Sequence, residues 1–395
     1  MRSRQVDTVV VGLGGLGSAT AWQLARRGVE VVGFEQFALG HVRGASHDTS
    51  RILRRSYHTP GYVRLAGEAY DDWADLSSAA GEELVTVTGG VDLFPPGAAI
   101  HAVDYAASMR ACGVDFEQLD GAEVARRWPA LSPPEGTTAL HQRDTGIVPA
   151  GRSTATMQRL ATDAGAELHG QLPVTALLPQ DDGTVEVRTR NGANASLRAR
   201  RVVLTADAWT NDLLGGLGAT IPLTVTREQV TYFAPQAPEL FGPDRLPVWI
   251  WMDDPSFYGF PTYPENGTGA WVKAAEDCGG AVTTADTRSY DVDPDALDRL
   301  RGFATSLVPG LGDPARTVTC LYTLTPDRDF VLGPVPGQPA VLIGLGAGHA
   351  FKFAPTFGRL LADLAVDGRT TSDISAFAPD RPALVEQGHP VSWLV

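Results

Sequence analysis

Three cysteines in 395 residues, Cys112, Cys278 and Cys320, are too few and too scattered for a disulfide framework or a zinc site, and no metal centre is expected. The default expectation for any one of them is a small buried hydrophobe. Basic residues are also in short supply, 32 Lys and Arg against 46 Asp and Glu, for a formal net charge of −14. That balance argues against nucleic acid and anionic membrane surfaces as partners. It leaves room for an anionic small molecule in a local basic pocket. No run of about 20 apolar residues occurs, so no membrane-spanning helix is expected. Met1–Gln5 leads straight into a strand-like segment with no apolar stretch and small-residue cleavage site, so a cytoplasmic chain without a signal peptide is expected. The length favours two domains over one small core.

What is present begins with a strand, turn and helix. Thr8-Val9-Val10-Val11 is β-branched throughout and reads as a parallel strand buried on both faces. Gly12-Leu13-Gly14-Gly15-Leu16-Gly17 follows, then a helical pattern from Ser18 that stops at Gly28. Val29–Phe34 reads as a second strand and ends in Glu35. Gly12 permits the tight turn, Gly14 lets the backbone approach a pyrophosphate, and Gly17 lets helix and strand pack closely. The helix start offers free N–H groups to the phosphates. Glu35 suits ribose hydroxyls and disfavours a 2′-phosphate, so NADP is not expected. The pattern indicates a dinucleotide and does not separate FAD from NAD.

Further on, Gly44–Tyr57 places small polar residues before Arg51, Arg54 and Arg55. A solvated basic face and an anion-binding fork are both open for this cluster. On a helical turn Arg51 and Arg54 would share a face; on a strand they would not. A helix is expected at about 152–164. Strands are expected at 174–178, 185–189, 197–199 and 201–206. The stretch from about 223 to 318 alternates strand-like runs with proline-rich turns, as in an antiparallel sheet. Its aromatics Trp249, Trp251, Phe257 and Tyr258 suit either core packing or a pocket wall. Lys273, on the strand-like run Ala270–Ala274, has a solvent-facing lysine as its plain reading. Late in the chain the strand 340–344 meets the glycine-rich turn Gly344-Leu345-Gly346-Ala347-Gly348-His349, with a helix from Pro355 to about Val366. Lys352 lies beside that helix start, where a cation is disfavoured unless an anion compensates it, either a reduced flavin or a substrate carboxylate.

These segments together resemble the monomeric sarcosine oxidase and N-methyltryptophan oxidase family of FAD-dependent amine oxidases, within the D-amino-acid-oxidase-like fold group. The residues carrying the likeness are Ser46–Tyr57, Ala208-Trp209-Thr210, Tyr258-Gly259-Phe260-Pro261, Cys320-Leu321-Tyr322-Thr323 and Gly348-His349-Ala350-Phe351-Lys352-Phe353. The match spans nearly the whole chain, through Asp373-Ile374-Ser375 and Arg381-Pro382-Ala383. Ser50 stands where the family usually has Thr, and Asp207 where it usually has Gly.

The resemblance implies an α/β protein: a Rossmann-like FAD-binding domain with a second α+β substrate domain built on a largely antiparallel sheet. Residues 1–88, 141–220 and 319–395 would form the first, and 89–140 and 221–318 the second. It implies FAD held by Gly12, Gly14, Gly17, Glu35, Ser50, Arg51, Gly346, Gly348 and Lys352, with an 8α-S-cysteinyl link to Cys320. Arg51 would lie near the flavin ring, His349 near its face and Tyr258 in the active-site wall. Arg54 and Lys352 would hold the substrate carboxylate. Lys273 would assist the reaction of reduced flavin with dioxygen, giving hydrogen peroxide. Asp277 stands where sarcosine-oxidising members have His, which would alter the substrate pocket; a branch that oxidises a cyclic imino acid is similar in having an acid there. The link needs a thiolate, so a nearby cation, with Arg51 the candidate, is expected to lower the pKa of Cys320. The expected partners are a small amino acid substrate and dioxygen, and the expected state is a monomer. Two rival readings remain: an FAD dehydrogenase serving another acceptor, and a non-catalytic dinucleotide-binding protein.

Overall fold

Residues 4–190, 196–266 and 270–393 are described by the computed structural model of the chain. Met1–Ser3 and the Gly267-Thr268 part of the loop before Lys273 lie outside them. Three β-branched valines make Gln5–Val11 a buried central strand. It pairs in parallel with Ser196–Leu204 on one side and Val31–Phe34 on the other. Gln338–Leu345 and Glu167–His169 extend the parallel run, and antiparallel strands at Val174–Pro179, Val185–Thr189 and Val331–Val335 complete an eight-stranded sheet. The break expected between 197–199 and 201–206 is absent. Arg200 and Arg201 are exposed, yet the ladder never stops, because the first half of the strand pairs with Val185–Thr189 and the second half with Gln338–Leu345.

A nine-stranded sheet holds the segments between. It is antiparallel at every pairing except Val248–Trp251 with Gly90–Phe94. Its longest ladder joins Thr224–Ala234 to Asp313–Leu324. Cys320 lies inside that ladder, so the boundary expected at residue 319 cuts a strand that belongs to the second sheet by hydrogen bonding. Trp249, Trp251 and Phe257 pack into this sheet's core with Phe303, whose ring stacks on Phe257.

Helix packing brings the two glycine turns together. Gly15–Ala25 lies against Ala354–Asp367 so closely that a Cβ on Gly358 would come within 2.6 Å of the Ala19 backbone. Small residues at that crossing set both helix starts beside one cavity. The helix Pro60–Ala80, capped by the Thr59 side chain and ended by Gly81 at φ +70°, packs across it. Its Trp73 indole N–H donates to the Lys352 carbonyl at 2.6 Å.

Candidate active site

A cavity of about 1020 Å³ opens between the two sheets. Its wall includes the first glycine loop, Glu35, Arg51, Arg54, Tyr258, Asp277, Cys320, Gly346, Gly348, His349 and Lys352. Gly12 sits at φ +90°, and a Cβ there would meet the Thr205 carbonyl at 2.5 Å. A Cβ on Gly17 would lie 1.8 Å from the Gly12 carbonyl, so only glycine lets the helix approach the loop. Glu35 accepts from the Leu13 and Phe37 N–H groups, each at 3.0 Å. Burial pushes its carboxyl up, but the His41 imidazole and those two N–H groups hold it below the ordinary range. The Gly15 N–H donates to Ser46 Oγ at 2.8 Å.

Arg51 to Leu53 form a short strand, so the helical option is excluded. Arg54 lies just beyond its end, and both arginines still line the cavity. Arg51 donates to the Ala45, His47 and Ser50 carbonyls and lies 3.7 Å from Asp48. Asp48, at φ +82°, is the hub of this wall. Its carboxylate accepts from the Tyr232 hydroxyl and from the Lys273 ammonium at 2.5 Å. Lys273 is 1% exposed, which corrects the solvent-facing reading, and it also donates to the Ser50 carbonyl at 3.0 Å. Asp48 and Ser50 line the cavity; Lys273 stands behind them. Burial works against the Asp48 charge, but Lys273 and Arg51 hold its pKa well below the carboxylate range.

A second group of charges gathers around Lys352. Arg54 pairs with buried Asp92 at 3.2 Å and lies over the Tyr57 ring. Arg328 pairs with Asp277 at 2.8 Å, so the acid expected to alter the pocket arrives already neutralised. Lys352 has no carboxylate partner among the described residues; its ammonium donates to the His349 carbonyl at 2.9 Å. Burial, then the charges of Arg54 and Arg328, push its pKa well below the ordinary lysine value. His349, whose Nε2 lies 3.0 Å from the Arg328 carbonyl, is held neutral by burial and by Lys352.

Cys320 is buried on this wall. The expectation of a lowered thiol pKa is overturned. Arg51 does pull it down, but burial outweighs that and pushes the thiol up to about 12. Cys112 and Cys278 are only half-buried, against the expectation for a buried hydrophobe, because each sits at the end of its element. Asp207 holds its turn at φ +47°, a region that Asp tolerates better than most residues, and burial pushes its carboxyl up to about 6.

The family model described as FAD dependent oxidoreductase matches residues 7–364. The chain belongs to that family. Among its relatives here, monomeric sarcosine oxidase of Streptomyces avermitilis is 36% identical over 95% of this chain and 98% of its own length. N-methyl-L-tryptophan oxidase of Escherichia coli O157:H7 is 28% identical over 95% and 99%. The solved open form of NikD, an unusual amino acid oxidase essential for nikkomycin biosynthesis, superposes with a TM-score of 0.84 at 31% identity, covering 95% of this chain and 98% of NikD.

As a member of the FAD dependent oxidoreductase family, the chain is an FAD-dependent enzyme, and the residues present fit that cofactor. The glycine loop is a cradle that any Cβ would fill, and the cavity is large enough for a dinucleotide. The sequence assigns no separate role to Ser46, Asp48 and Arg328 on this wall, or to Asp92 and Tyr232 behind it. A signal was available for the two cations. Lys273 and Lys352 are the only lysines in the chain. No comparable local signal marks Asp92, or the pairing of Asp48 with Lys273, because those partners are distant in sequence.

Proposed function

We propose that this enzyme oxidises a secondary-amine or cyclic amino acid, an N-methyl amino acid or an imino acid, whose carboxylate is held by Lys352 and Arg54. The observation that carries the reading is Lys352. It is a cavity-lining ammonium without a carboxylate partner among the described residues, beside two arginines that have theirs. A substrate carboxylate would supply the missing charge and restore the lysine's proton. When bound, FAD supplies the two-electron acceptor for the hydride that leaves the carbon beside the nitrogen. Tyr258 and Asp277 shape the wall around the amine, and Ser50, Arg51 and His349 border the ring. An amine that binds neutral needs no strong base from the protein. The names of the relatives, which specify sarcosine, N-methyl-L-tryptophan and an amino acid, support this substrate class.

Cys320 is the residue that would hold the flavin through an 8α-thioether; its place on the cavity wall beside Arg51 supports this. Dioxygen is the proposed acceptor, with Lys273 assisting and hydrogen peroxide as product, because a fixed cation favours the charge that develops as oxygen is reduced. We also propose a cytoplasmic monomer; no described helix is long and apolar enough to cross a membrane. One observation favours a second reading, a dehydrogenase serving another acceptor: Asp48 stands between Lys273 and the cavity.

A panel of amino acids scored by anaerobic bleaching of the flavin band at about 450 nm tests the first reading, since that band is the cofactor's own. Bleaching by N-methyl or cyclic amino acids and not by the matching amines without a carboxylate is the expected result. Bleaching independent of the carboxylate would sink it. Peroxide yield under air then separates oxidase from dehydrogenase.

A further inference from the structure

Among the described residues, five cationic side chains are at least nine-tenths buried: Arg54, Lys273, Arg288, Arg328 and Arg381. Four have a carboxylate partner: Asp92 for Arg54, Asp48 for Lys273, Asp277 for Arg328 and Asp327 for Arg381. Arg288 has none among the described residues. It is 6% exposed, and both its Nε and one terminal nitrogen lack any hydrogen-bond partner. A guanidinium stays charged in proteins, so it cannot relieve this by losing a proton. A buried, unpaired charge with unused donors is unfavourable unless an anion arrives.

The position of Arg288 says which anion. It lines the large cavity, and its remaining terminal nitrogen donates to the Val42 carbonyl at 3.1 Å. The same loop carries Ser46, whose hydroxyl accepts from the Gly15 N–H at the start of the first helix. Arg288 therefore belongs to the wall around the glycine loop, while Lys352 and Arg54 border Tyr57. It rises from the segment between Ala281–Thr283, a strand of the second sheet, and the helix Pro294–Leu307. The guanidinium carbon lies 4.2 Å from the Tyr290 ring centroid, within cation–π distance.

We propose that Arg288 binds the pyrophosphate of FAD, a clamp from the second sheet that complements the backbone N–H groups of the first. A charged guanidinium on the cavity wall, with hydrogen-bonding capacity the protein leaves unused, suits phosphate oxygens. The clamp ties cofactor retention to the second sheet, which the glycine fingerprint alone does not reach.

The test uses full-length protein carrying Cys320→Ser, so that flavin exchange is reversible whether or not the native chain forms a thioether. Flavin-stripped protein is titrated with FAD and with riboflavin, which lacks the phosphates. Arg288→Gln is expected to weaken FAD by about 10- to 100-fold, the scale of a lost charge-assisted hydrogen bond, and to leave riboflavin unchanged. The salt dependence of FAD binding should fall as well. Arg288→Lys keeps the charge without the guanidinium's several donors and should give an intermediate FAD affinity, which guards against a Gln variant that fails to fold. Unchanged FAD affinity, or an equal loss for FAD and riboflavin, overturns the proposal. Either result leaves the amino acid oxidase reading untouched, because that reading is tested by bleaching.

Discussion

The Lys273 ammonium and the Asp48 carboxylate lie 2.5 Å apart, both buried, with only Asp48 reaching the cavity wall. Removing Asp48 leaves the Lys273 charge without a carboxylate, and removing Lys273 leaves Asp48 only the more distant Arg51. Lys273→Met is therefore expected to destabilise the fold by about 3–5 kcal/mol, and Asp48→Asn in the same chain to recover much of it. Thermal or denaturant unfolding of the single and double variants measures this. Additive losses would show that the pair is not coupled.

The same variants examine the acceptor. Lys273→Met should slow reoxidation of reduced flavin by dioxygen far more than it slows flavin reduction by substrate. Stopped-flow measurement of the two half-reactions separates them. Equal slowing would argue against an oxygen role and would favour the dehydrogenase reading.

Lys352 behaves oppositely to Lys273 because it has no carboxylate partner to strand. Lys352→Met should raise KM for carboxylate substrates by about 10- to 100-fold and leave thermal stability nearly unchanged or improved. Binding of a carboxylate inhibitor should take up a proton, since burial, Arg54 and Arg328 hold the empty site's lysine pKa low. Affinity should accordingly fall as pH rises. A pH-independent inhibition constant would count against the carboxylate contact.

Cys320→Ser should yield protein whose yellow colour is released on acid precipitation, whereas the native chain keeps it. Colour lost from both would refute the link. Because burial pushes the free thiol up to about 12, alkylation of Cys320 in flavin-stripped protein should stay slow at pH 8.

Glu228 provides a pH signature of the second sheet. Burial pushes its carboxyl up to about 7, with the Thr226 hydroxyl and the Gly280 N–H opposing. The folded state thus holds its proton more tightly than the unfolded chain. Below about pH 4 the group is neutral in both states and contributes no penalty. As pH rises toward 7, the penalty for the buried charge grows to roughly 3 kcal/mol. Glu228→Gln should raise stability at pH 8 by up to that amount and show no gain at pH 4. Chemical denaturation at the two pH values checks the sign.

The first glycine turn was legible because its geometry is local. The φ of Gly12 and the contact of Gly17 with the Gly12 carbonyl involve residues a few positions apart. The late turn before Ala354–Asp367 was legible for the same reason. The place of Cys320 was less so. Its sequence motif pointed to the flavin, but its strand is completed by Thr224–Ala234, nearly a hundred residues earlier. The thiol's pKa is not legible in the motif, which carries a neighbouring arginine but not the full burial that outweighs it.

By itself, then, the sequence determined the dinucleotide turns, the parallel and antiparallel sheet classes and the likeness to FAD amine oxidases. All of these rest on short-range pattern and steric rules. Only the tertiary structure decided which charges are compensated. Asp48 meets Lys273 across 225 positions, and Asp92 meets Arg54 across 38. Lys352 and Arg288 meet no carboxylate among the described residues. Whether a buried cation is a structural strut or a ligand site depends on that long-range pairing and on exclusion of water, and neither is written in local spacing.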